Sequence, residues 1–304
     1  MGVLEGFLAA AIRIATPLLF AATGELVTER AGVINLSVEG AMLAGALGST
    51  LGAFHGSPWV GVLCGVAAGL FTALCFALIA LGARTDQIIT GTAVTLGVIG
   101  ATGVIYRRAF GAAGAGLSLP TFGNVAIPGL SKIPLVGPGF FNQPSLTYIA
   151  WLLVPVVWWG LYRTRWGLTL RATGESMHAA RAAGAPVLRI KIVATLFGGA
   201  MSGLAGATLV LAQVGTFAER MTGGRGFVAI AIVVLGRWHP VGVLVASVLF
   251  GAANALQFAF QAMGLSVPYQ LFLMLPYVLA LVALAGAVGR TRAPAELGRL
   301  SDRR

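Results

Sequence analysis

The residues of this chain that could do chemistry form polar groups within apolar surroundings. The first group comes from the segment 23–40, in which Asn35 and Glu39 precede a long apolar run. A carboxylate inside an apolar segment is costly to bury, so it faces a cavity or a partner. Asn35 and Glu39 are four residues apart, and a helix would place them on one face. They could line a path for a polar solute; Glu39 could instead lie near the edge of the apolar layer or pair with Arg13.

The second polar group is a stripe of amides. Asn254, Gln257 and Gln261 follow the i, i+3, i+7 spacing of one helix face, and Gln213 lies in a separate apolar segment. Asn35, Glu39, Asn254 and Gln257 are the residues we predict to line a solute path. Amides also join neighbouring helices in apolar surroundings, so a packing role stays open for each of them.

The sequence contains no pattern typical of an enzyme or a metal site. His55, His178 and His239 are scattered without ligand spacing, and no Gly-Lys-Ser or Gly-Lys-Thr phosphate-binding loop occurs. Cys64 and Cys75 lie in one apolar segment, about three helical turns apart, which favours packing over a disulfide or a metal pair. We therefore predict no catalytic residue, no metal site and no cofactor bound by this chain.

Composition predicts the elements that position these residues. Of the 304 residues, 58% are hydrophobic and 10% are charged, against about 25% charged in a soluble domain. A helix needs roughly 20 apolar residues to cross a bilayer. The chain is therefore predicted to be an all-α, polytopic membrane protein with about nine transmembrane helices (8–10). The apolar segments are 4–22, 32–54, 58–82, 87–106, 146–162, 190–214, 226–236, 241–261 and 268–289.

Basic residues predict the orientation. The basic island, residues 163–191, lies between two apolar segments and holds six of the twenty Lys and Arg residues. If the island is cytoplasmic, alternation also puts four other regions inside: 23–31, 83–86, 237–240 and the tail 290–304. The count is then 14 basic residues inside against 5 outside, as the positive-inside rule requires. The net charge of +11 thus belongs to topology and not to nucleic-acid binding. We predict an outside N-terminus, a cytoplasmic C-terminus and an extracytoplasmic Gly- and Pro-rich loop at 107–145.

Within the basic island, residues 173–184 are predicted to form one short amphipathic helix. Its four alanines favour helix, and Pro186 prevents continuation. The run has few bulky apolar residues, which does not suit a lipid anchor, although a helix lying on anionic headgroups stays open. Small residues with polar edges suit docking into a protein groove.

Two stretches of the chain resemble each other. In the first, Thr28-Glu-Arg-Ala-Gly32 precedes an apolar segment, followed by Pro58 and Gly61-Val-Leu63. In the second, Ala218-Glu-Arg-Met-Thr-Gly223 precedes an apolar segment, followed by Pro240 and Gly242-Val-Leu244. The first copy starts inside and the second outside, which predicts an inverted-topology repeat of the kind transporters use.

Several motifs resemble those of ATP-binding-cassette (ABC) importer permeases. Leu170-Arg-Ala-Thr-Gly-Glu175 and Ala179-Ala-Arg-Ala-Ala-Gly184, followed by Ser202-Gly-Leu-Ala-Gly206, are similar to the cytoplasmic loop of the branched-chain amino acid, ribose and nucleoside superfamily. The run Glu29-Arg-Ala-Gly-Val-Ile-Asn-Leu-Ser-Val-Glu-Gly40 resembles the shorter permease of nucleoside-type importers. The resemblance extends from about residue 21 to 298, which indicates a single permease domain over 1–304.

The resemblance implies partners and a role for the basic island. Two cytoplasmic ABC ATPases would bind the ATP, a second and non-identical permease would complete the pathway, and an extracytoplasmic lipoprotein would deliver the solute at a bacterial cell membrane. The island would be the coupling loop that inserts into an ATPase groove. By motif, its contact residues would be Gly174, Glu175, Ala179, Ala180 and Gly184.

The resemblance thus predicts import of nucleosides or a related simple sugar by alternating access. The main competing hypothesis is an ion-coupled secondary transporter or a channel that works without an ATPase. Buried acids on an ion path would favour that hypothesis, and Glu39 is the one acid that we expect well inside a span. A purely structural membrane subunit is the third hypothesis, which the polar stripes disfavour.

Overall fold

The computed structural model describes residues 3–111, 118–133, 136–262, 274, 278 and 293–299. Within these residues the chain forms helices and one two-stranded antiparallel sheet. The helices are α1 Val3–Arg30, α2 Val38–Phe54, α3 Pro58–Ala77, α4 Gln87–Phe110, α5 Val136–Phe140, α6 Ser145–Arg163, α7 Arg165–Glu175, α8 Met177–Ala182, α9 Val187–Leu209, α10 Arg225–Leu235 and α11 Pro240–Ala262. Single π-helical turns extend α3 through Leu78–Gly82 and α9 through Val210–Val214.

A helix accounts for each of the first eight predicted apolar segments, although the bounds of α1 and α2 differ from those predicted. Within the described residues, six helices are long and apolar enough to cross a membrane, namely α1, α3, α4, α6, α9 and α11. Two shorter apolar helices, α2 with 17 residues and α10 with 11 residues, account for the second and seventh segments. The ninth segment, 268–289, lies almost wholly outside the described residues. The all-α membrane architecture is therefore confirmed.

Helix α1 is longer than predicted, because 23–31 is not a loop. The helix continues to Arg30, and both Glu25 and Glu29 are buried in it. Their carboxylates accept hydrogen bonds from distant parts of the chain: Glu25 from the Asn35 amide at 3.1 Å, and Glu29 from the Trp238 indole at 2.5 Å. The expectation that Glu39 is the one acid well inside a span was thus wrong, since these bonds let two more carboxylates be buried.

Helix α2 begins later than predicted, at Val38 and not at residue 32. Asn35 Oδ1 accepts hydrogen bonds from the Ser37 amide at 3.0 Å and the Ser37 hydroxyl at 2.5 Å. Such side-chain bonds to neighbouring backbone compete with helix and favour a turn. Asn35 therefore precedes the helix, and the prediction that it shares a helix face with Glu39 was wrong.

Close helix packing forms the core. A Cβ built on Gly203 of α9 would lie 3.1 Å from the Cα of Gly69 in α3, and one built on Gly45 of α2 would lie 2.5 Å from the Cα of Gly203. Small residues let helix backbones approach in lipid, where packing and not the hydrophobic effect joins helices. The abundance of glycine thus brings α2, α3 and α9 together in the middle of the bundle.

The bundle has two ends, which we call the island end, at the basic island 163–191, and the loop end, at the loop 107–145. At the island end, the Arg30 guanidinium donates to the Trp238 carbonyl at 2.8 Å, and the Glu296 amide donates to the Gly174 carbonyl at 2.9 Å. At the loop end, Phe54 stacks edge-on against Phe110 at 5.2 Å. Strands β1 Asn124–Ala126 and β2 Asn142–Pro144 pair there, within the predicted loop 107–145. These interactions place the ends of α1 and α10 on the side of the basic island.

The order of helix lengths repeats. Long, short and long helices follow one another in α1–α2–α3 and again in α9–α10–α11, and Pro58 and Pro240 begin the third helix of each set. Helix α2 ends at the loop end, whereas α10 ends next to Trp238 at the island end. The two short helices thus run in opposite directions, in agreement with the predicted inverted-topology repeat.

Candidate functional site

Glu39 lies where the two short helices meet. Its Oε1 accepts hydrogen bonds from the Thr222 hydroxyl at 2.6 Å and the Gly224 amide at 2.9 Å. Its Oε2 accepts a hydrogen bond from the Gly226 amide at 2.7 Å. Glu39 belongs to the first turn of α2, and its three donors belong to the first turn of α10 and the residues before it.

The N-termini of α2 and α10 therefore share one carboxylate. Unpaired amides and the helix dipole make each N-terminus attractive to an anion. The approach requires glycine, because a Cβ on Gly226 would lie 2.5 Å from the Glu39 Cα and amide nitrogen. Gly224, with φ +84°, also adopts a backbone conformation that favours glycine. Arg13 is not a partner of this carboxylate, so the predicted alternative of an Arg13 pair was wrong.

A cavity of about 280 Å³ opens beside this junction. Its polar lining comes from α2, α4 and the loop 215–224, and includes Glu39, Thr92, Thr95, Arg220 and Thr222. Leu43, Leu96, Ile99 and Phe227 supply the apolar lining. Small-molecule sites of this kind combine apolar walls with a few fixed polar groups.

The loop 215–224 is held against α4 by two interactions. Arg107 and Glu219 form an ion pair at 3.3 Å, and the Tyr106 and Phe217 rings lie 4.8 Å apart. Sequence reasoning missed this loop as part of the site. The signal was the run Thr222-Gly-Gly-Arg-Gly226 before an apolar segment, which is typical of a helix N-terminus approached closely by another group.

The other predicted pathway residues do not line this cavity. Asn35 is fully buried beside Glu25 and Ser37. Asn254 Nδ2 donates to the Phe250 carbonyl of its own helix at 2.8 Å, and Gln257 is 7% exposed. Their helix, α11, packs against α1, where a Cβ on Gly251 would lie 2.9 Å from the Ala15 amide nitrogen. The side chain of Gln261 lies outside the described residues.

The basic island contains two helices and not the predicted single helix over 173–184. Helix α7 ends at Glu175, and α8 begins at Met177. The break occurs at Ser176, whose hydroxyl accepts a hydrogen bond from the Ala179 amide at 3.2 Å and caps α8. Gly184 ends the segment with φ +82°, a conformation that favours glycine.

The five predicted coupling residues divide into two sets. Glu175, Ala179 and Gly184 are exposed, and no heavy atom outside its chain neighbours lies within 4 Å of a Cβ built on Gly184. Gly174 and Ala180 are buried instead. Gly174 fits between Arg30 and Gly32 at the end of α1, and Ala180 packs with Met177 and Val187. The exposed set faces outward, whereas the buried set joins the island to the bundle.

His239, between α10 and α11, forms a second contact at the island end of the bundle. Its ring lies 5.4 Å from the Tyr162 ring, near the Arg30 guanidinium. Burial and then the positive charge of Arg30 hold the pKa of His239 below its ordinary value. The neutral ring is therefore the form that packs in this turn between α10 and α11.

The fold and the site define a multi-pass membrane permease with a cavity beside Glu39 and a partly exposed basic island. A family model described as branched-chain amino acid transport system / permease component matches residues 7–284. The chain belongs to this family and is a permease subunit of an ABC importer.

Several relatives are similar over most of the chain. The guanosine ABC transporter permease NupQ of Bacillus subtilis is 35% identical over 92% of this chain and 91% of its own. The nucleoside ABC transporter permease NupC of Lactococcus lactis is 33% identical over the same shares, 92% and 91%. TsgC13 of Haloferax volcanii, named for a glucose ABC transporter, is 39% identical over 88% of this chain and 81% of its own.

A solved ABC transporter, described as of metal-chelate type and in an inward-facing conformation, has the same fold. The TM-score is 0.54 with 14% sequence identity, and the match covers 92% of this chain and 85% of the other. At this identity the likeness concerns the fold alone.

Proposed function

We propose that this permease imports nucleosides, or a simple sugar of related polarity, by alternating access. The observation that carries the proposal is the cavity beside Glu39. Its volume of about 280 Å³ approaches the lower limit of roughly 300 Å³ for small-molecule sites. Apolar side chains form most of its lining, and its polar groups are two threonine hydroxyls on α4, the Thr222 hydroxyl and Arg220. Three donors already satisfy the Glu39 carboxylate. Such a lining suits a solute that combines an apolar ring face with a few hydroxyl groups.

Two relatives with guanosine or nucleoside in their names support the nucleoside assignment. A relative with glucose in its name supports a simple sugar as the alternative substrate. Asn35, Asn254 and Gln257 enter the proposal as residues that another state of the transport cycle would expose. In this conformation they are buried or bonded within their own element.

The basic island is the proposed docking site of the ATPase. The exposed set, Glu175, Ala179 and Gly184, would contact an ATPase groove. Gly174 would transmit its movement to the end of α1, and Ala180 to the start of α9. Gly174 is suited to this because its carbonyl accepts the Glu296 amide at 2.9 Å, and a Cβ built on it would lie 3.2 Å from the Gly32 amide nitrogen. A shift of α7 would thus reach the end of α1 without an intervening flexible loop.

The proposed assembly contains two cytoplasmic ATPases that bind ATP, a second and non-identical permease, and an extracytoplasmic lipoprotein. The island end then faces the cytoplasm of a bacterial cell, with the N-terminus outside and the tail 290–304 inside. The loop 107–145 faces the lipoprotein. The proposed role needs no cofactor bound by this chain, because the partner ATPases bind the ATP.

Uptake by the assembled transporter tests the substrate assignment. Labelled uridine, adenosine, ribose, glucose and leucine compete for import into proteoliposomes that contain the permeases, the ATPases and the lipoprotein. Thr92→Phe would fill the cavity and lower nucleoside uptake by about tenfold or more, the effect of blocking a specific site. Ile89→Phe, on an exposed part of the same helix outside the cavity, is the matched control. Equal uptake by both variants would reject this cavity as the pathway.

Charge reversal tests the coupling surface. Glu175→Arg should abolish uptake and leave membrane insertion intact, because the docking face no longer fits its groove. Arg237→Glu changes an exposed charge at the same end but outside α7 and α8, and it should keep uptake. Uptake without any ATPase present would instead favour the ion-coupled transporter, for which buried Glu25 and Glu29 in α1 supply the specific observation.

A further inference from the structure

A narrow cleft lies at the island end, between the turn after α3, helix α8 and the start of α9. Its volume is about 30 Å³, room for roughly two water molecules and too little for a sugar or a nucleoside. Four cationic side chains line it: Arg84, Arg181, Lys191 and Arg299. Among the described residues that line it there is no carboxylate. We call it the basic cleft.

Lys191 is the residue that distinguishes this cleft from an ordinary basic surface. It is 3% exposed, and its Nζ donates a hydrogen bond to Met177 Sδ at 3.2 Å. A thioether sulfur is a weak acceptor. Within the described part of the chain no carboxylate forms an ion pair with this ammonium group. Burial of a cation without a paired anion is costly, so the site favours an anion from outside the protein.

The nearby acids do not neutralise the cleft. Glu296 acts on Lys191 through its field, from beyond ion-pair distance. Asp86 follows Arg84 closely, but its Oδ1 accepts the Ile89 amide at 2.9 Å and caps α4. Exposed arginines on loops are otherwise explained by membrane topology. Buried Lys191 is not, because it is removed from solvent and lines the cleft.

The surroundings of the cleft are apolar on the outer side. Leu78 and Leu188 are 61% and 51% exposed and belong to the two elements that form the cleft walls. Exposed leucines at the end of membrane helices face acyl chains, and the cationic groups beside them then lie at the depth of the headgroups. Basic pockets between membrane helices on the cytoplasmic side are typical sites for anionic headgroups.

We propose that the basic cleft binds a phosphate group, carried either by an anionic lipid headgroup or by a free phosphate ion. Its oxygens would accept hydrogen bonds from Lys191 and the guanidinium groups of Arg84 and Arg299. A bound phosphate would then join α8 to the start of α9 and to the turn between α3 and α4. The ligand thus fixes the position of the island against the bundle. This inference does not depend on which solute the permease carries.

Lipid binding to the full chain in neutral detergent tests the proposal. Native mass spectrometry measures retained phosphatidylglycerol against phosphatidylcholine, and melting curves are recorded with each lipid and with sodium phosphate against sodium chloride at equal ionic strength. Lys191→Gln should weaken phosphatidylglycerol binding by about tenfold or more. Arg299→Gln, at an exposed side chain, should weaken it roughly fivefold, the effect of one surface cation on an anionic headgroup.

Arg189→Gln is the matched control, because Arg189 is exposed two residues from Lys191 and does not line the cleft. Stabilisation by phosphatidylglycerol alone, lost in the cleft variants only, supports a lipid headgroup. Equal stabilisation by sodium phosphate supports a free ion at the same site. Binding that Arg189→Gln weakens as much as the cleft variants, or no binding of either ligand, overturns the proposal. Arg299→Gln keeps the test decisive if Lys191→Gln does not fold.

Discussion

Replacing Glu39 with glutamine tests whether the two short helices depend on one shared carboxylate. Glu39 accepts three hydrogen bonds, at 2.6, 2.9 and 2.7 Å, from Thr222, Gly224 and Gly226. A glutamine amide can accept on one side only. Whichever way it turns, its NH2 group faces the backbone amide of Gly224 or of Gly226, donor against donor.

The size of the effect follows from these hydrogen bonds. One charge-assisted hydrogen bond contributes about 1.5–3 kcal/mol, and a carboxylate at a helix N-terminus adds roughly 0.3–1 kcal/mol. We therefore expect Glu39→Gln to destabilise the fold by about 3 kcal/mol, or roughly 100-fold in the unfolding equilibrium. Melting of the purified chain in detergent and uptake by the reconstituted complex should both decline.

A matched control separates this junction from charge loss in general. Glu219→Gln removes a carboxylate whose ion pair with Arg107 is half-exposed, and such pairs contribute about 0–1 kcal/mol. Its melting temperature should stay near that of the wild type. If Glu39→Gln melts and transports like the wild type, the shared carboxylate does not hold the two helices together.

Two further predictions concern the island end. Gly174→Ala should destabilise the chain by about 1–3 kcal/mol in a melting assay, since the new Cβ would lie 3.0 Å from the Arg30 carbonyl carbon and closer to its oxygen. Gly97→Ala, in open space on α4, is the control and should be neutral or stabilising in the same assay. The pKa of His239 is held below its usual value, so the unfolded chain takes up the proton first as the pH falls through about 6.5. Stability should decrease from pH 7.5 to 5.5 and then level off below the pKa of the folded state, and His239→Gln should reduce this slope. An equal slope in the variant would contradict the assignment.

Sequence patterns predicted the long spans because those depend on local composition. The segment 58–82 was predicted to the residue, since Pro58 can begin a helix and the following run is continuously apolar. The end of α1 was not predictable in this way. Glu25 and Glu29 resemble loop residues until the donors from Asn35 and Trp238 are known, and those donors come from other parts of the chain.

The candidate site was predicted in part. Glu39 was singled out correctly as a buried carboxylate, but its partners lie more than 180 residues away in the sequence. Asn254 and Gln257 follow a helical stripe, yet the stripe does not show which neighbour it faces, and α11 packs against α1. The spacing of residues on one helix is local information, whereas a cavity depends on how several helices pack.

The meeting of the two helix N-termini has a consequence for ion leakage. A permease that opens a polar cavity in a membrane must not conduct protons or sodium ions along the same route. The N-termini of α2 and α10 contribute roughly half a positive charge each. Together they balance the Glu39 carboxylate, so the positive charge of Arg220 remains in the lining. Positive helix ends and arginines exclude cations from selective pores. We expect the cavity to repel cations for this reason, and Arg220→Gln to raise proton flux in proteoliposomes under a membrane potential; unchanged flux would show that the barrier to cations lies elsewhere.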